Sequence, residues 1–169
     1  AFHRVEEYNL RLVELTRQAA EGKCLVAGDL APVGLSLPPF GESSFEEMVA
    51  VYTEQAAALE KAGVDLFVVE TMISMAEARA AVLACKSVSD KPVWVSFTCD
   101  EEGRAPYGTD VLAAMIVMQG MGVAAFGINC AKAEDAAEQL ERLLSFLEEQ
   151  FSFDELREFT VEAGRPDTI

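Results

Sequence analysis

The chain has 169 residues, of which 51% are hydrophobic, and a formal net charge of −16. That length and apolar fraction are enough for one domain with its own core, over residues 1–169, and they exclude a disordered chain. The negative charge repels phosphate groups, so nucleic acid and anionic membrane are excluded as partners, and no apolar run reaches the roughly 18 residues of a membrane span.

Helical and strand patterns alternate along the sequence, and every strand is a short, nearly continuous apolar run. In chain order, we predict helix Val5–Ala20, strand Cys24–Leu30, helix Ser44–Ala62, strand Val64–Val69, helix Ser74–Ser87, strand Pro92–Thr98, helix Thr109–Met121, strand Val123–Ile128, helix Ala133–Gln150 and helix Ser152–Gly164. Continuous apolar strands that alternate with helices are typical of parallel strands covered on both faces.

Three of the helix starts carry the motif Ser-x-x-Glu, which is typical of a capping box. In a capping box the serine side chain accepts from the backbone three residues later, and the glutamate side chain accepts from the serine backbone. The three pairs are Ser44 with Glu47, Ser74 with Glu77, and Ser152 with Glu155. Thr109 is the expected cap of the helix that follows it.

Four predicted strands are too few for a complete eight-stranded barrel, which needs roughly 200 residues or more. We therefore expect an α/β fold that is either a partial (β/α)8 barrel of the TIM type, with about four parallel strands and flanking helices, or a small open sheet. A partial barrel leaves strand edges and an apolar inner face to be covered by a partner, a second copy or further chain.

Polar residues follow the predicted strands at their carboxyl ends, where α/β folds place their chemistry. These residues are Asp29, Glu70, Ser96, Thr98, Asn129 and Cys130. Glu70 either faces the sheet edge or pairs with a neighbour. Asp29 either binds a ligand or, as we favour, accepts hydrogen bonds from the backbone of Ala31–Gly34. Ser96 and Thr98 point to one face and are more typical of barrel-lining residues than of catalysts.

The four cysteines form no CxxC pair and no disulfide framework, and no export signal is visible, which favours the reducing cytoplasm. Cys24 and Cys85 are expected to be core thiols. Cys130 is either a zinc ligand or a buried structural thiol, and Cys99 could approach the same sheet edge. The single histidine, His3, precedes the first helix, which makes a Ser/His/Asp arrangement improbable.

Several segments, in this order, resemble the homocysteine S-methyltransferase family, which includes the homocysteine-binding module of cobalamin-dependent methionine synthase and betaine–homocysteine methyltransferase. The resembling segments are Val26–Gly34, Tyr52–Gln55, Ala62–Asp65, Glu70–Met72, Glu77–Ala78, Val95–Thr98, Gly108–Thr109 and Gly127–Cys130. No single segment is decisive, whereas their order and spacing together are fairly specific.

The resemblance implies a (β/α)8 barrel in which zinc, held by three cysteines, binds homocysteine as a thiolate that attacks a methyl group. Cys130 matches one zinc cysteine, Glu70 the acidic residue at the amino-acid end of homocysteine, and Asn129 the polar residue beside the metal. Ser96 is a candidate substrate-binding residue at the same edge. The Gly-Gly-Cys-Cys-Gly-Thr segment that supplies the other two zinc cysteines does not occur in this sequence.

Two functions of different classes follow from these observations. The first is methyl transfer to homocysteine to give methionine, from a corrinoid, betaine or sulfonium donor that the sequence does not identify. The second is a non-catalytic, shortened barrel that self-associates or binds a partner chain. The missing cysteines keep both interpretations open.

Overall fold

The computed structural model describes residues 4–150, so His3 and the helix predicted from Ser152, with its capping box, lie outside the described residues. Five helices and four strands alternate along these residues. They are α1 (Val5–Ala20), β1 (Ala27–Leu30), α2 (Phe45–Ala62), β2 (Leu66–Met72), α3 (Met75–Val88), β3 (Val93–Phe97), α4 (Val111–Gly120), β4 (Ala125–Ile128) and α5 (Ala133–Gln150).

The four strands form one parallel sheet in the order β1-β2-β3-β4. Each crossover between neighbouring parallel strands is right-handed in nearly all proteins, so an unreversed strand order puts every connecting helix on the same face. Doubly wound sheets reverse their order and carry helices on both faces, whereas barrels do not. The predicted partial barrel with about four parallel strands is therefore confirmed.

The core lies between the sheet and its helices. Phe67, Val69, Val95 and Phe97 point from the strands into this layer and are fully or almost fully buried. Gly28 of β1 permits a close approach of α2, because a Cβ atom at this position would lie 3.0 Å from Leu59 Cδ1.

The opposite face of the sheet is open within residues 4–150. Ala27 and Asp29 are exposed there, and the indole of Trp94 is 48% exposed. The expectation that both faces are covered is wrong for the described residues, because all the connecting helices pack on one side. Helix α1 likewise turns apolar side chains outward, with Tyr8, Leu12 and Leu15 exposed.

Two of the predicted helix caps differ from the structure. The Ser44–Glu47 capping box is present, with Glu47 N donating to Ser44 Oγ at 3.1 Å and Ser44 N donating to Glu47 Oε2 at 2.8 Å. Ser74 is the N-cap of α3, but its side chain makes no capping hydrogen bond. The Glu77 side chain does not bond back to Ser74, and the residue is buried. Helix α4 is capped by Asp110, because the Thr109 hydroxyl accepts instead from Met75 N of α3.

The first strand is shorter than predicted, and this changes the environment of its cysteine. Cys24 precedes β1 and is exposed, so its expected core position is wrong, whereas the buried position of Cys85 in α3 is confirmed. Burial raises the pKa of the Cys85 thiol to about 12. Among residues 4–150, no helix is both long and apolar enough to cross a bilayer.

Candidate active site

Side chains from the carboxyl ends of β2, β3 and β4 form a hydrogen-bonded cluster, the strand-end cluster, consisting of Glu70, Thr71, Ser96, Asn129 and Cys130. Asn129 Nδ2 donates to Glu70 Oε1 at 3.0 Å and to Thr71 Oγ1 at 2.7 Å. The backbone N–H of Thr71 donates to Ser96 Oγ at 3.2 Å. The structure thus brings Glu70, Asn129 and Ser96 together, as the parallel register of their strands requires.

Cys130 joins this cluster through Thr71 rather than through another cysteine. Its Sγ lies 3.7 Å from Thr71 Oγ1, and its carbonyl accepts from Thr98 Oγ1 at 3.1 Å. The thiol is exposed. Cys130 is therefore accessible to a ligand, which is the opposite of a buried structural thiol.

The backbone of the cluster is held in an uncommon conformation. Thr71 has φ 58° and Cys130 has φ 53°, and the pairing of β2 with β3 shifts register between Val69 and Met72. A left-handed backbone costs an L residue with a branched side chain of order 1–3 kcal/mol, so the surrounding contacts must enforce it. Such strain is concentrated at functional sites, where it aims side chains that a regular strand could not aim.

One oxygen of the cluster is left without a donor. Both hydrogen bonds of the Asn129 amide group run through Nδ2, and Oδ1 is the buried side-chain atom without a partner among residues 4–150. A buried acceptor without a donor costs about 1–3 kcal/mol. A ligand that brings an N–H or O–H group to Asn129 recovers this cost.

Asp29 lies on the open face and does not behave as predicted. No hydrogen bond joins its carboxylate to Ala31–Gly34 in the described part of the chain, where the Val33 N–H instead donates to Glu77. Although Asp29 is exposed, the partial burial of its carboxyl group and, next, the charge of Glu70 raise the pKa of Asp29. Asp29 and Glu70 therefore concentrate negative charge at the edge of the cluster, which suits a cationic group.

The described residues do not fit a zinc site. Structural and catalytic zinc sites take at least three protein ligands, usually cysteine, histidine or carboxylate groups. Within residues 4–150 no three such side chains converge, and Cys130 has a hydroxyl and an amide beside it. Cys99 does not join it, because that thiol is buried and burial raises its pKa.

One residue of the site, Thr71, is not singled out by the sequence, and another, Thr98, has a role that its strand-end position does not predict. Thr71 bridges Asn129 and Cys130, and Thr98 fixes the Cys130 carbonyl. The sequence predicts a lining role for Thr98 at its strand end, whereas the structure shows that it bonds the Cys130 backbone. Nothing in the sequence around Thr71 signals its left-handed backbone, because threonine is a residue that ordinarily avoids that conformation.

Comparisons with known proteins agree with this geometry. The sequence profile described as homocysteine S-methyltransferase matches residues 2–163. Methionine synthase from Mycobacterium leprae is 31% identical over 114 residues, which are 64% of this chain and 9% of that protein. Methionine synthase from Mycobacterium tuberculosis is 30% identical over 114 residues, 64% of this chain and 10% of that protein.

Solved structures of the homocysteine methyltransferase MmuM from Escherichia coli share the fold. The apo form superimposes with a TM-score of 0.74 at 28% identity, covering 86% of this chain and 57% of that one. The metallated form gives 0.72 at 26% identity, covering 83% and 54%. This chain spans about half the length of these enzymes and about a tenth of the methionine synthases. On the strength of the profile match, the chain belongs to the homocysteine S-methyltransferase family.

Proposed function

We propose that this chain serves methyl transfer to the thiol of homocysteine, giving methionine, and that the strand-end cluster holds the amino-acid end of that substrate. The observation that carries the proposal is the Asn129 side chain, which is fixed by Glu70 and Thr71 while its Oδ1 lacks a donor. A buried, pre-oriented acceptor beside a carboxylate is the arrangement that a substrate ammonium group requires.

The polar groups of the cluster match the two charges of an amino acid. Glu70 and Asn129 Oδ1 would accept from the ammonium group of homocysteine. Ser96 Oγ already accepts from Thr71 N, and its O–H has no acceptor among the described residues, so it is available to donate to the substrate carboxylate. The negative charge of Asp29 adds to the attraction for the ammonium group.

In the proposed reaction the homocysteine sulfur attacks the donor methyl group. A sulfur–carbon bond forms, the bond between the methyl carbon and the donor breaks, and the donor leaves with that electron pair. The thiol proton is lost to water before or during attack. The donor is a corrinoid, betaine or sulfonium compound, and no described residue distinguishes these three.

Family membership supports zinc as the group that lowers the pKa of the substrate thiol. Cys130 is the one residue of the strand-end cluster with a thiol that could ligate zinc. We derive no step through the metal, since the described residues supply too few ligands for it. A metal analysis of the purified chain by mass spectrometry, with and without Cys130→Ser, tests whether residues beyond these complete a site.

The activity test incubates the whole chain with homocysteine and each donor class in turn, and methionine is quantified by mass spectrometry. We expect Asn129→Ala and Cys130→Ser to lower methionine formation at least tenfold. The matched controls are Asn9→Ala, an asparagine on α1 whose side chain bonds, within residues 4–150, to Val5 O alone, and Cys24→Ser, the other exposed cysteine. Both controls should retain the activity of the unaltered chain.

Absence of methionine with all three donors would reject transfer by this chain. Equal activity in Cys130→Ser and Cys24→Ser would reject the role of the strand-end thiol. Loss of binding in Asn129→Ala, measured by calorimetry with homocysteine alone, would separate substrate binding from the transfer step.

The open face of the sheet favours a second candidate, binding of a partner chain without catalysis. Trp94 is 48% exposed at the centre of this face, and Tyr8, Leu12 and Leu15 are exposed on α1. A single chain rarely leaves so many large apolar side chains in water without an interaction to cover them.

Trp94 offers a direct test of this second candidate because it is the only tryptophan of the chain. We expect its fluorescence emission to shift to shorter wavelength when a partner or a second copy covers the sheet. Sedimentation velocity over a range of concentrations then separates self-association from binding of another chain. A monomer with unchanged emission at every concentration would remove self-association.

A further inference from the structure

A cavity of about 270 Å³ lies beside the N-terminus of α3, between the loop after β1 and the loop after β3. None of its lining residues belongs to the strand-end cluster. Pockets for drug-sized ligands measure about 300–1,000 Å³, so this cavity suits a small metabolite. It is a second candidate site, independent of the proposed methyl transfer.

Glu77 gives this cavity a buried acceptor. Glu77 is one of the residues that line the cavity, and it is only 3% exposed. Oε1 accepts both from Val33 N at 2.9 Å and from Tyr52 Oη at 3.0 Å, whereas Oε2 accepts from no residue between 4 and 150. Because Glu77 lines this cavity, Oε2 is the carboxylate oxygen that we take a ligand there to contact.

The first turn of α3 gives the same cavity unused donors. The N–H of Met75 donates to Thr109 Oγ1 at 3.3 Å. The N–H groups of Ala76 and Glu77 have no acceptor among the described residues, and the Ser74 hydroxyl neither caps the helix nor bonds elsewhere within them. A helix of 14 residues carries partial positive charge at this end, which favours a carboxylate.

One cavity is therefore lined both by a carboxylate oxygen without a donor and by N–H groups without an acceptor among the described residues. A simple anion would satisfy the N–H groups and be repelled by Glu77, and a simple cation would satisfy Glu77 and leave the N–H groups unpaired. A zwitterion meets both, with its ammonium group on Glu77 Oε2 and its carboxylate on the N-terminus of α3. We propose that this cavity binds a free α-amino acid with an apolar side chain.

The remaining walls account for the apolar side chain. Leu35, Leu37, Met48 and Met75 line the cavity. Phe40 and Tyr107 stand edge to face at its rim, with ring centroids 4.9 Å apart, and the Tyr107 hydroxyl lies 3.2 Å from Ser36 Oγ. These contacts join the loop after β1 to the loop after β3 at the rim of the cavity.

L-Norleucine is the probe, because it has the required charges and an apolar chain but can neither accept a methyl group at sulfur nor be the product. Binding is measured by calorimetry, and its place by amide chemical shifts in the ¹⁵N-labelled whole chain. We expect saturable binding with the largest shifts at the amides of Ala76 and Glu77. n-Pentylamine, without the carboxylate, and hexanoate, without the ammonium group, should each bind at least tenfold more weakly.

Glu77→Gln keeps the hydrogen-bond acceptor and removes the charge, and it should weaken norleucine binding at least tenfold. Glu47→Gln is the matched control, with the same substitution at the same helical position of α2, and it should bind as the unaltered chain does. Glu70→Gln in the strand-end cluster should leave the norleucine-induced shifts at Ala76 and Glu77 unchanged.

No saturable binding of norleucine would overturn the proposal. Shifts confined to Glu70 and Asn129, with none at Ala76 and Glu77, would overturn it too, because the amino-acid end of norleucine also fits the strand-end cluster. Equal binding of hexanoate and norleucine would exclude the zwitterion. If Glu77→Gln fails to fold, as judged by circular dichroism, the comparison of the three ligands on the unaltered chain still decides.

Discussion

The N-termini of α2 and α3 carry the same Ser-x-x-Glu motif and use it differently. At α2, Ser44 and Glu47 cap each other in solvent. At α3, Ser74 caps nothing, and Glu77 turns inward to bond Val33 N and Tyr52 Oη. A cap contributes about 1 kcal/mol, whereas buried polar groups without partners cost about 1–3 kcal/mol each. Tyr52 is fully buried, so its hydroxyl and the Val33 N–H decide the position of Glu77.

Removing Glu77 should have the largest effect. Glu77→Ala leaves the Val33 N–H without an acceptor, leaves Tyr52 with only the Ala31 carbonyl, and opens a cavity. We expect the free energy of unfolding to fall by about 3 kcal/mol. Urea denaturation measures it, with Glu47→Ala as the control at the solvent-exposed motif. Equal losses in the two variants would contradict the assignment of Glu77 to an interior role.

Tyr52→Phe removes the other partner of the same hydrogen bond. It should lower the free energy of unfolding by about 1.5 kcal/mol, because a single hydroxyl is lost. The phenol is strongly held in its neutral form: burial, followed by the charge of Glu77, raises the pKa of Tyr52. A double-mutant cycle with Glu77→Ala, which removes the acceptor, should give a coupling energy between the two side chains. Additive effects would mean that the Tyr52–Glu77 hydrogen bond contributes little.

Alanine substitution of the two motif serines should affect the free energy of unfolding differently at α2 and α3. Ser44→Ala removes the acceptor for Glu47 N and should lower the free energy of unfolding by about 1 kcal/mol. Ser74→Ala should leave it almost unchanged, because the Ser74 hydroxyl caps nothing. Thermal unfolding of the two variants, recorded side by side, checks the difference. A larger loss in Ser74→Ala would show that this serine caps α3 in solution.

The smallest expected effect is on the pH dependence of the free energy of unfolding. The Ser44 backbone N–H lowers the pKa of Glu47. Ionised Glu47 therefore contributes to the free energy of unfolding above the ordinary glutamate pKa of about 4.3, and this contribution is lost as pH falls through the lower pKa of the folded state. Asp29 behaves oppositely, since burial and Glu70 raise its pKa. The contribution of Asp29 to the free energy of unfolding is fully present below the ordinary aspartate pKa of about 3.9. It is lost as pH rises through the raised pKa of the folded state.

Urea midpoints of two variants across the acid range check these signs. Asp29→Asn should be more stable than the unaltered chain at neutral pH, and this advantage should vanish on acidification. Glu47→Gln should be less stable at neutral pH, and its deficit should vanish on acidification. The same sign in both variants would mean that Asp29 and Glu70 do not interact as the structure places them.

The helices and strands could be predicted from sequence because periodicity and glycine stops depend on local chemistry. The strand-end residues Glu70, Ser96 and Asn129 could also be predicted, since the carboxyl ends of parallel strands meet at one edge. The inward turn of Glu77 could not, because it depends on Tyr52, 25 positions earlier in the chain. The role of Thr71 could not either, because it follows from a local shift of register.

The two outer strands of the sheet have a consequence for how this protein behaves in concentrated solution. β1 and β4 each have one neighbour within residues 4–150, so each presents a row of backbone groups that another chain could join. Asp29 on β1 and a net charge of −16 oppose such joining between identical copies. Colloidal stability therefore depends on ionisation, and we expect precipitation as the solution approaches the isoelectric point near 4.3. The same charge makes a cationic surface, rather than a second copy, the better match for the open face.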